Sequence, residues 1–391
     1  MKILLTGGGS GGHIAPVLAV AHELKKQHPA IHLIYAIGKG DKLAHLPKSD
    51  TTIDGVFTIR AGKFRRYHGE GLRQILDVGT LLKNIRDLFY VCAGFIQSLK
   101  LLRREKPDII FIKGGFVAVP IGLAAALLKI PFITHDSDAV PGLANRIISR
   151  WARIHAVAMP IENYAYKASK TVQVGVPFTA EYVRVTELLQ KKYKQEIKVA
   201  ASSPVLLITG GGLGANRLNE ATTKIAQALL YRHPKLHIIH VTGPGHSSRI
   251  TEMYNHVLDE QDMKRVIIRD FLKNMHLYSG AADVIVARAG ASSLAEFAAQ
   301  GKACIIIPNP QLTGGHQLKN ADILMKSSAI IKLSDAVVEK NPEVLLKEVD
   351  MLLDSANNRA ELSDNFHTFA DFDASKKLAN MLFENAGSGT K

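Results

Sequence analysis

The sequence predicts an α/β protein of two domains, each a parallel sheet covered by helices on both faces. Three observations carry that expectation. A chain of 391 residues exceeds the length at which a single core keeps growing. Short apolar runs alternate with helix-length segments from end to end, the pattern of βαβ units. Each half also opens with one device, a strand running into a glycine-rich turn and then a helix: TGGGSGGH at Thr6 to His13 and TGGGLGAN at Thr209 to Asn216.

In the first half the strands read KILLT from Lys2, HLIYAI from His32, DIIFIK from Asp108, PFITH from Pro131 and HAVAM from His155. The second half restarts with PVLLIT from Pro204, LHIIHVT from Leu236, RVIIRDF from Arg265, DVIVAR from Asp283 and ACIIIP from Ala303. Between them, Gly175-Val176-Pro177 and the charged stretch Lys191 to Lys198 read as a linker and domain entry, so the boundary is expected near Val172, with domains over 1–171 and 172–371. In open α/β sheets ligands sit outside the carboxyl ends of the strands, which predicts two Rossmann-like domains facing across a cleft that holds the site.

Composition narrows the function. With 47% apolar residues, both domains can hold packed cores. Cys92 and Cys304 lie inside apolar runs and read as buried thiols, not as a disulfide or a metal pair, which fits a reducing cytoplasm. The chain enters an apolar strand at once, without a secretory leader, so no export is expected. The longest apolar stretch, Val117 to Leu128, contains a proline and is shorter than the ~20 residues of a membrane-spanning helix. A formal charge of +14 calls for an anionic surface or a phosphorylated ligand. Nucleic acid is the weaker reading, because the chain has one Trp and no nucleic-acid module.

The loop of Gly7, Gly8, Gly9, Ser10, Gly11 and Gly12 lets backbone N–H groups approach an anion at the start of the next helix. A tight turn or a dinucleotide site are the alternatives. Against the dinucleotide, Gly38-Lys39-Gly40 after the second strand supplies no acidic residue for a ribose. His13 falls in the first helical turn, facing the cleft or simply capping the helix. Gly210 to Gly214 repeats the anion argument in the second half. Further on, Arg288 ends a strand at the turn Ala289-Gly290-Ala291, and the helix after it carries Glu296. Arg288 can pair with a phosphate and Glu296 can accept both hydroxyls of a ribose; a surface arginine and a helix-dipole glutamate are the bland readings. After ACIIIP, Gln317 and Asn320 present amides suited to sugar hydroxyls. No DxD-like pair and no His/Asp cluster with metal spacing is present, so neither metal nor cofactor is expected.

Taken in order, five blocks resemble the peptidoglycan N-acetylglucosaminyltransferases of glycosyltransferase family 28. They are GGGSGGHIAPVLAVA, KPDIIFIKGGFVAVPIGLAAALLKIPFITHDSDAVPGLANR, GGGLGANRLN, RAGASSLAEFAAQG and GGHQLKNA. The resemblance implies a GT-B fold, with a last helix over 372–386 returning to the first domain. It implies inverting transfer of N-acetylglucosamine from UDP-N-acetylglucosamine to the 4-hydroxyl of an undecaprenyl-diphospho-MurNAc-peptide, lipid I, on the inner face of the cytoplasmic membrane. Donor contacts would come from Ser10, Gly11 and Gly12; from Gly211, Gly212, Leu213, Gly214, Ala215 and Arg288 near the diphosphate; and from Gly290, Ala291 and Ser292. Leu272, after Phe271, would meet uracil through its main chain, Glu296 the ribose, and Gln317 and Asn320 the sugar. Gly8, Gly9, His135, Asp136 and Asn145 would receive the acceptor, and His13 or Asp138 would take its proton. The family pattern also sharpens three departures. Gly212 and Leu213 replace the Ser and Gln of GGSQGA, His135-Asp136-Ser137-Asp138 replaces HEQN, and Phe178-Thr179 stands where an arginine is expected.

Membrane contact is expected at Lys63-Phe64-Arg65-Arg66-Tyr67 and the following helix, where Leu72, Ile75, Leu76, Val78, Leu82, Ile85 and Leu88 recur near helical spacing among Arg73, Lys83 and Arg86. Core packing is the other explanation for these positions. Two rival functions share the architecture: a UDP-N-acetylglucosamine 2-epimerase needing no lipid, and a UDP-sugar-binding subunit without catalysis.

Overall fold

The computed structural model describes residues 1–62, 78–212, 214–311 and 315–386. The chain forms two compact units. One comprises Met1–Ala180, Gln311–His316 and Asp371–Lys391, the other Glu181–Pro310 and Gln317–Ala370.

The first unit holds a parallel seven-stranded sheet in the order β3-β2-β1-β4-β5-β6-β7. Its strands are β1 Lys2–Thr6, β2 His32–Gly38, β3 Gly55–Ile59, β4 Ile109–Ile112, β5 Phe132–Asp136, β6 Ile154–Val157 and β7 Thr171–Gln173. β1 lies between β2 and β4, so its residues are buried on both faces, which explains the unbroken apolar run ILL. Ile3 and Leu5 pack with Val17 and Leu24 of the helix Gly11–Gln27 and with Leu378 and Leu382 of the helix Ala374–Ala386. Leu4 points the other way, into a layer with Ile110, Ile112 and Ile121. The C-terminal helix is thus part of this unit's core.

The second unit repeats the plan with six parallel strands ordered β10-β9-β8-β11-β12-β13. They are β8 Val205–Thr209, β9 His237–Val241, β10 Val266–Arg269, β11 Val284–Ala287, β12 Cys304–Ile306 and β13 Ile331–Lys332. The sheets therefore take up all ten expected strands and add β3, β7 and β13. β7 carries the first sheet through residue 173, so position 172 falls inside a strand and the first unit continues to Ala180. Among the described residues no helix is long and apolar enough to cross a membrane.

Candidate functional site

In the first unit, two glycine turns interlock. Gly9 has φ +85°, and a side chain there would meet the Phe116 ring at 2.8 Å, so the position requires glycine twice over. Gly115, after β4, has φ +79°, and a Cβ on it would lie 2.5 Å from the Gly8 carbonyl oxygen. The helix Gly11–Gln27 then begins without a side-chain cap from Ser10 and without an acidic residue in its first turn, so its positive end is uncompensated from within the helix. The loop does have one acidic partner. Asp41, one residue past Gly38-Lys39-Gly40, accepts a hydrogen bond from the Gly9 N–H at 2.6 Å. An acid does follow the second strand, and it grips the loop.

His13 is oriented by that loop. Its Nδ1 lies 2.9 Å from the Gly8 carbonyl, which can only accept; Nδ1 therefore carries the proton and Nε2 the lone pair. Burial first, then the charge of Lys113, lowers its pKa to about 4, so the ring is neutral at neutral pH. A methyl group added at Gly114 would lie 3.8 Å from His13 Nε2 and 3.7 Å from both amide atoms of Asn145, so the two side chains approach the same glycine.

Together they line a cavity of about 240 Å³ with Lys113, Asp136, Ser137 and Asp138. Asp136 ends β5 and is fully engaged: its carboxylate accepts from Gly142 N at 2.9 Å, Asn145 Nδ2 at 3.0 Å and the Tyr166 hydroxyl at 2.8 Å. Burial nonetheless raises its pKa. Asn145 Nδ2 also donates to His135 O at 3.0 Å, which fixes the orientation of the amide, and its buried Oδ1 has no hydrogen-bond partner. The buried Ser137 Oγ has none either. The Asp138 side chain is partly exposed, and its carbonyl accepts from the Tyr164 hydroxyl at 2.7 Å.

His135 departs from expectation. It is fully buried, is not among the cavity-lining residues, and donates through Nε2 to Gly175 O at 2.9 Å, pinning β5 to the turn after β7. Lys113 was missed. As the last residue of DIIFIK it reads as an ordinary strand-end lysine, and the one signal was a charge interrupting an apolar run directly before Gly114-Gly115.

The second unit holds the residues expected to meet the donor other than Ser10, Gly11 and Gly12, which lie in the first unit's glycine loop. Gly211 and Gly214 have φ +77° and +76°, and the helix Asn216–Arg232 starts with neither a side-chain cap nor an acidic first turn. Leu213 lies outside the described residues. The helix Ala291–Gln300 starts the same way from Gly290, with Ala291 and Ser292 in its first turn. In its second turn Glu296 accepts a hydrogen bond from Tyr182, while burial pushes the carboxyl pKa up to about 7. Leu272 is buried beside the exposed Phe271.

Arg288 is the main correction on this side. It is 7% exposed, and its Nη1 donates to Asp335 at 2.5 Å and to Ile307 O at 2.9 Å. Its charge is balanced inside the protein, so its side chain anchors the end of β11. Gln317 and Asn320 are buried as well, with Gln317 Oε1 accepting from Asn309 N at 2.8 Å and Asn320 Nδ2 donating to Ala289 O at 3.2 Å. Both amides brace the loops around the helix start.

Two Rossmann-like units, one with a cavity lined by a neutral histidine and the other with two side-chain-uncapped helix N-termini, have the architecture of a GT-B glycosyltransferase. The chain belongs to glycosyltransferase family 28: residues 3–157 match the model of the family's N-terminal domain and residues 205–378 that of its C-terminal domain. It is 32% identical over 331 residues, 84% of this chain and 85% of the relative, to the UDP-N-acetylglucosamine–N-acetylmuramyl-(pentapeptide) pyrophosphoryl-undecaprenol N-acetylglucosamine transferase of Natranaerobius thermophilus. The transferase of that name from Bacillus cytotoxicus is 31% identical over 330 residues, 84% of each chain. Among solved structures, Acinetobacter baumannii MurG matches at TM-score 0.69 and 24% identity over 98% of this chain and 99% of that one. A putative UDP-N-acetylglucosamine 2-epimerase from Listeria monocytogenes matches at TM-score 0.66 and 11% identity, covering 96% and 94%. At such identities the structural matches speak for the fold alone.

Proposed function

We propose that this chain is an inverting N-acetylglucosaminyltransferase of cell-wall synthesis, moving N-acetylglucosamine from UDP-N-acetylglucosamine to the 4-hydroxyl of a lipid-linked N-acetylmuramoyl peptide. The observation that carries the reading is the neutral His13, its Nε2 lone pair left open by the Gly8 hydrogen bond, in one cavity with Asp138. The acceptor oxygen attacks the anomeric carbon, the bond to UDP breaks, and the hydroxyl proton passes to His13 or Asp138. The first unit takes the acceptor and the second the donor. Negative charge growing on the departing diphosphate is stabilised by backbone N–H groups at the starts of the helices Asn216–Arg232 and Ala291–Gln300, with Arg288 holding the strand end behind them.

The lipid-linked acceptor places the enzyme on the inner face of the cytoplasmic membrane. Lys63 to Tyr67 and Leu72 to Asp77 lie outside the described residues, but the helix Val78–Glu105 exposes Leu88, Phe89, Cys92 and Ile96 at near-helical spacing, beside Arg86, so Cys92, unlike Cys304, is not the buried thiol that its apolar run predicts. A panel of radiolabelled UDP-sugars with membrane extract, run with and without EDTA, tests the activity. Label entering lipid only from UDP-N-acetylglucosamine, with or without chelator, is expected. Isomerisation of the UDP-sugar without lipid would identify an epimerase instead, and tight donor binding without turnover a binding subunit.

A further inference from the structure

Lys113 touches no reacting atom in the chemistry above, although its charge helps to keep His13 neutral. Its backbone N–H bonds to Thr6 O at 2.9 Å, extending the pairing of β4 with β1, and its Cβ lies 3.3 Å from where a Cβ on Gly7 would stand. The residue is therefore held against the first glycine loop. Only 4% of its surface is exposed, yet it lines the cavity beside His13. Among the described residues its ammonium forms neither a hydrogen bond nor an ion pair. Asp136 and Asp138 act on it electrostatically from further away, and Asp136 is already held by its three hydrogen bonds.

Burying an ammonium without a close partner is costly, and such a group suits a site where a ligand completes it. Three further features of the cavity's surroundings point to a ligand. Ser137 Oγ and Asn145 Oδ1 are buried without partners, and the side-chain-uncapped start of the helix Gly11–Gln27 adds its dipole on the side of the glycine loop.

We propose that Lys113 binds the acceptor's diphosphate, its Nζ donating to a non-bridging phosphate oxygen, while Ser137 and Asn145 take hydroxyls of the sugar. The assignment rests on the transferase reading. It adds a full positive charge to the acceptor pocket, where a glycine loop alone offers only N–H dipoles. A phosphate there can belong to the acceptor, to the donor or to free phosphate in solution, and kinetics separates them.

Two soluble acceptors with the same sugar, peptide and short alkyl chain, one joined through diphosphate and the other an uncharged glycoside, are compared. The wild-type protein is expected to show a KM at least ten-fold lower for the diphosphate compound. In Lys113→Met that preference collapses, with acceptor KM rising ten- to a hundred-fold, the span of one charge-assisted hydrogen bond, while the KM for UDP-N-acetylglucosamine stays constant. Lys113→Arg recovers most of the preference. An unchanged preference in the Met variant overturns the proposal, as does a rise confined to the donor KM.

Should Lys113→Met fail to fold, inorganic diphosphate with the wild-type protein decides: competition against the acceptor supports the site, and competition against the donor alone overturns it. If no acceptor is glycosylated at all, the transferase reading fails. Equilibrium binding of the diphosphate compound then judges Lys113 separately, because equal affinity for wild type and variant, or none for either, removes the residue from an anion site.

Discussion

His13 and Asp138 are both fit to take a proton, for opposite reasons. The imidazole is neutral because burial and Lys113 disfavour its charge, whereas the carboxylate stands where the family pattern has an amide. If His13 is the base, His13→Ala lowers kcat by ~10²–10⁴ with the donor KM nearly constant, and Asp138→Asn is mild. The reverse ranking in steady-state assays reassigns the base to Asp138, and wild-type rates in both variants remove this mechanism. Glu296 gives a second test. A carboxyl with its pKa raised to about 7 is neutral below that pH and ionised above it, and ionisation frees, beside the Tyr182 hydrogen bond, an acceptor site that the proton otherwise occupies. UDP affinity should therefore tighten from pH 6 to pH 8 in calorimetric titrations. Glu296→Ala should weaken it by ~1.5–3 kcal/mol and flatten the profile; a wild-type affinity and profile in that variant would take Glu296 out of the site. These residues were legible because short motifs carry them. Lys113, Asp41, Tyr182 and Asp335 were not, because each acts on a partner distant in sequence: Lys113 on the Gly7 loop, Asp41 on Gly9, Tyr182 on Glu296 and Asp335 on Arg288.

Among elements, the sheets' interiors were readable, and of the four edge strands only β10 was, through its apolar VII. β1, β4, β8 and β11 are buried on both faces, so their sequences are continuous apolar runs. β3, β7 and β13 are edge strands of five, three and two residues with few fully buried positions, and they carry no such run. Cross-element anchors were equally hidden. Asp335 receives Arg288 from the end of β11 and Arg217 from the helix Asn216–Arg232, with both partners of the Arg288 pair buried. Removing one buried partner strands the other charge, so Asp335→Asn is expected to lower stability by ~3–5 kcal/mol in urea unfolding. A loss below ~1 kcal/mol would mean that Arg288 is not held by this pair, and would return it to the donor's phosphates as originally expected.

At the scale of the whole molecule, two properties that do nothing for folding remain: a formal charge of +14 and an apolar stripe on one helix. Phe89 is 70% exposed, with Leu88 and Ile96 more than half exposed. Water contact of that extent is unfavourable for such side chains, whereas a membrane interface buries them and an anionic leaflet attracts the surrounding cations. The protein should sediment with vesicles containing anionic lipid more than with neutral ones, and the difference should shrink as salt shortens the screening length from ~10 Å at 0.1 M to ~3 Å at 1 M. The double variant Phe89→Ser, Ile96→Ser should release it from vesicles of either kind. Because these side chains face solvent, the variant should keep its melting temperature within a few degrees and its rate on a soluble acceptor. Turnover of lipid-embedded acceptor would fall while the soluble reaction persists, a separation that a folding defect cannot produce. If the variant binds anionic vesicles as the wild type does, the stripe is not the docking surface and the basic charge acts elsewhere on the protein.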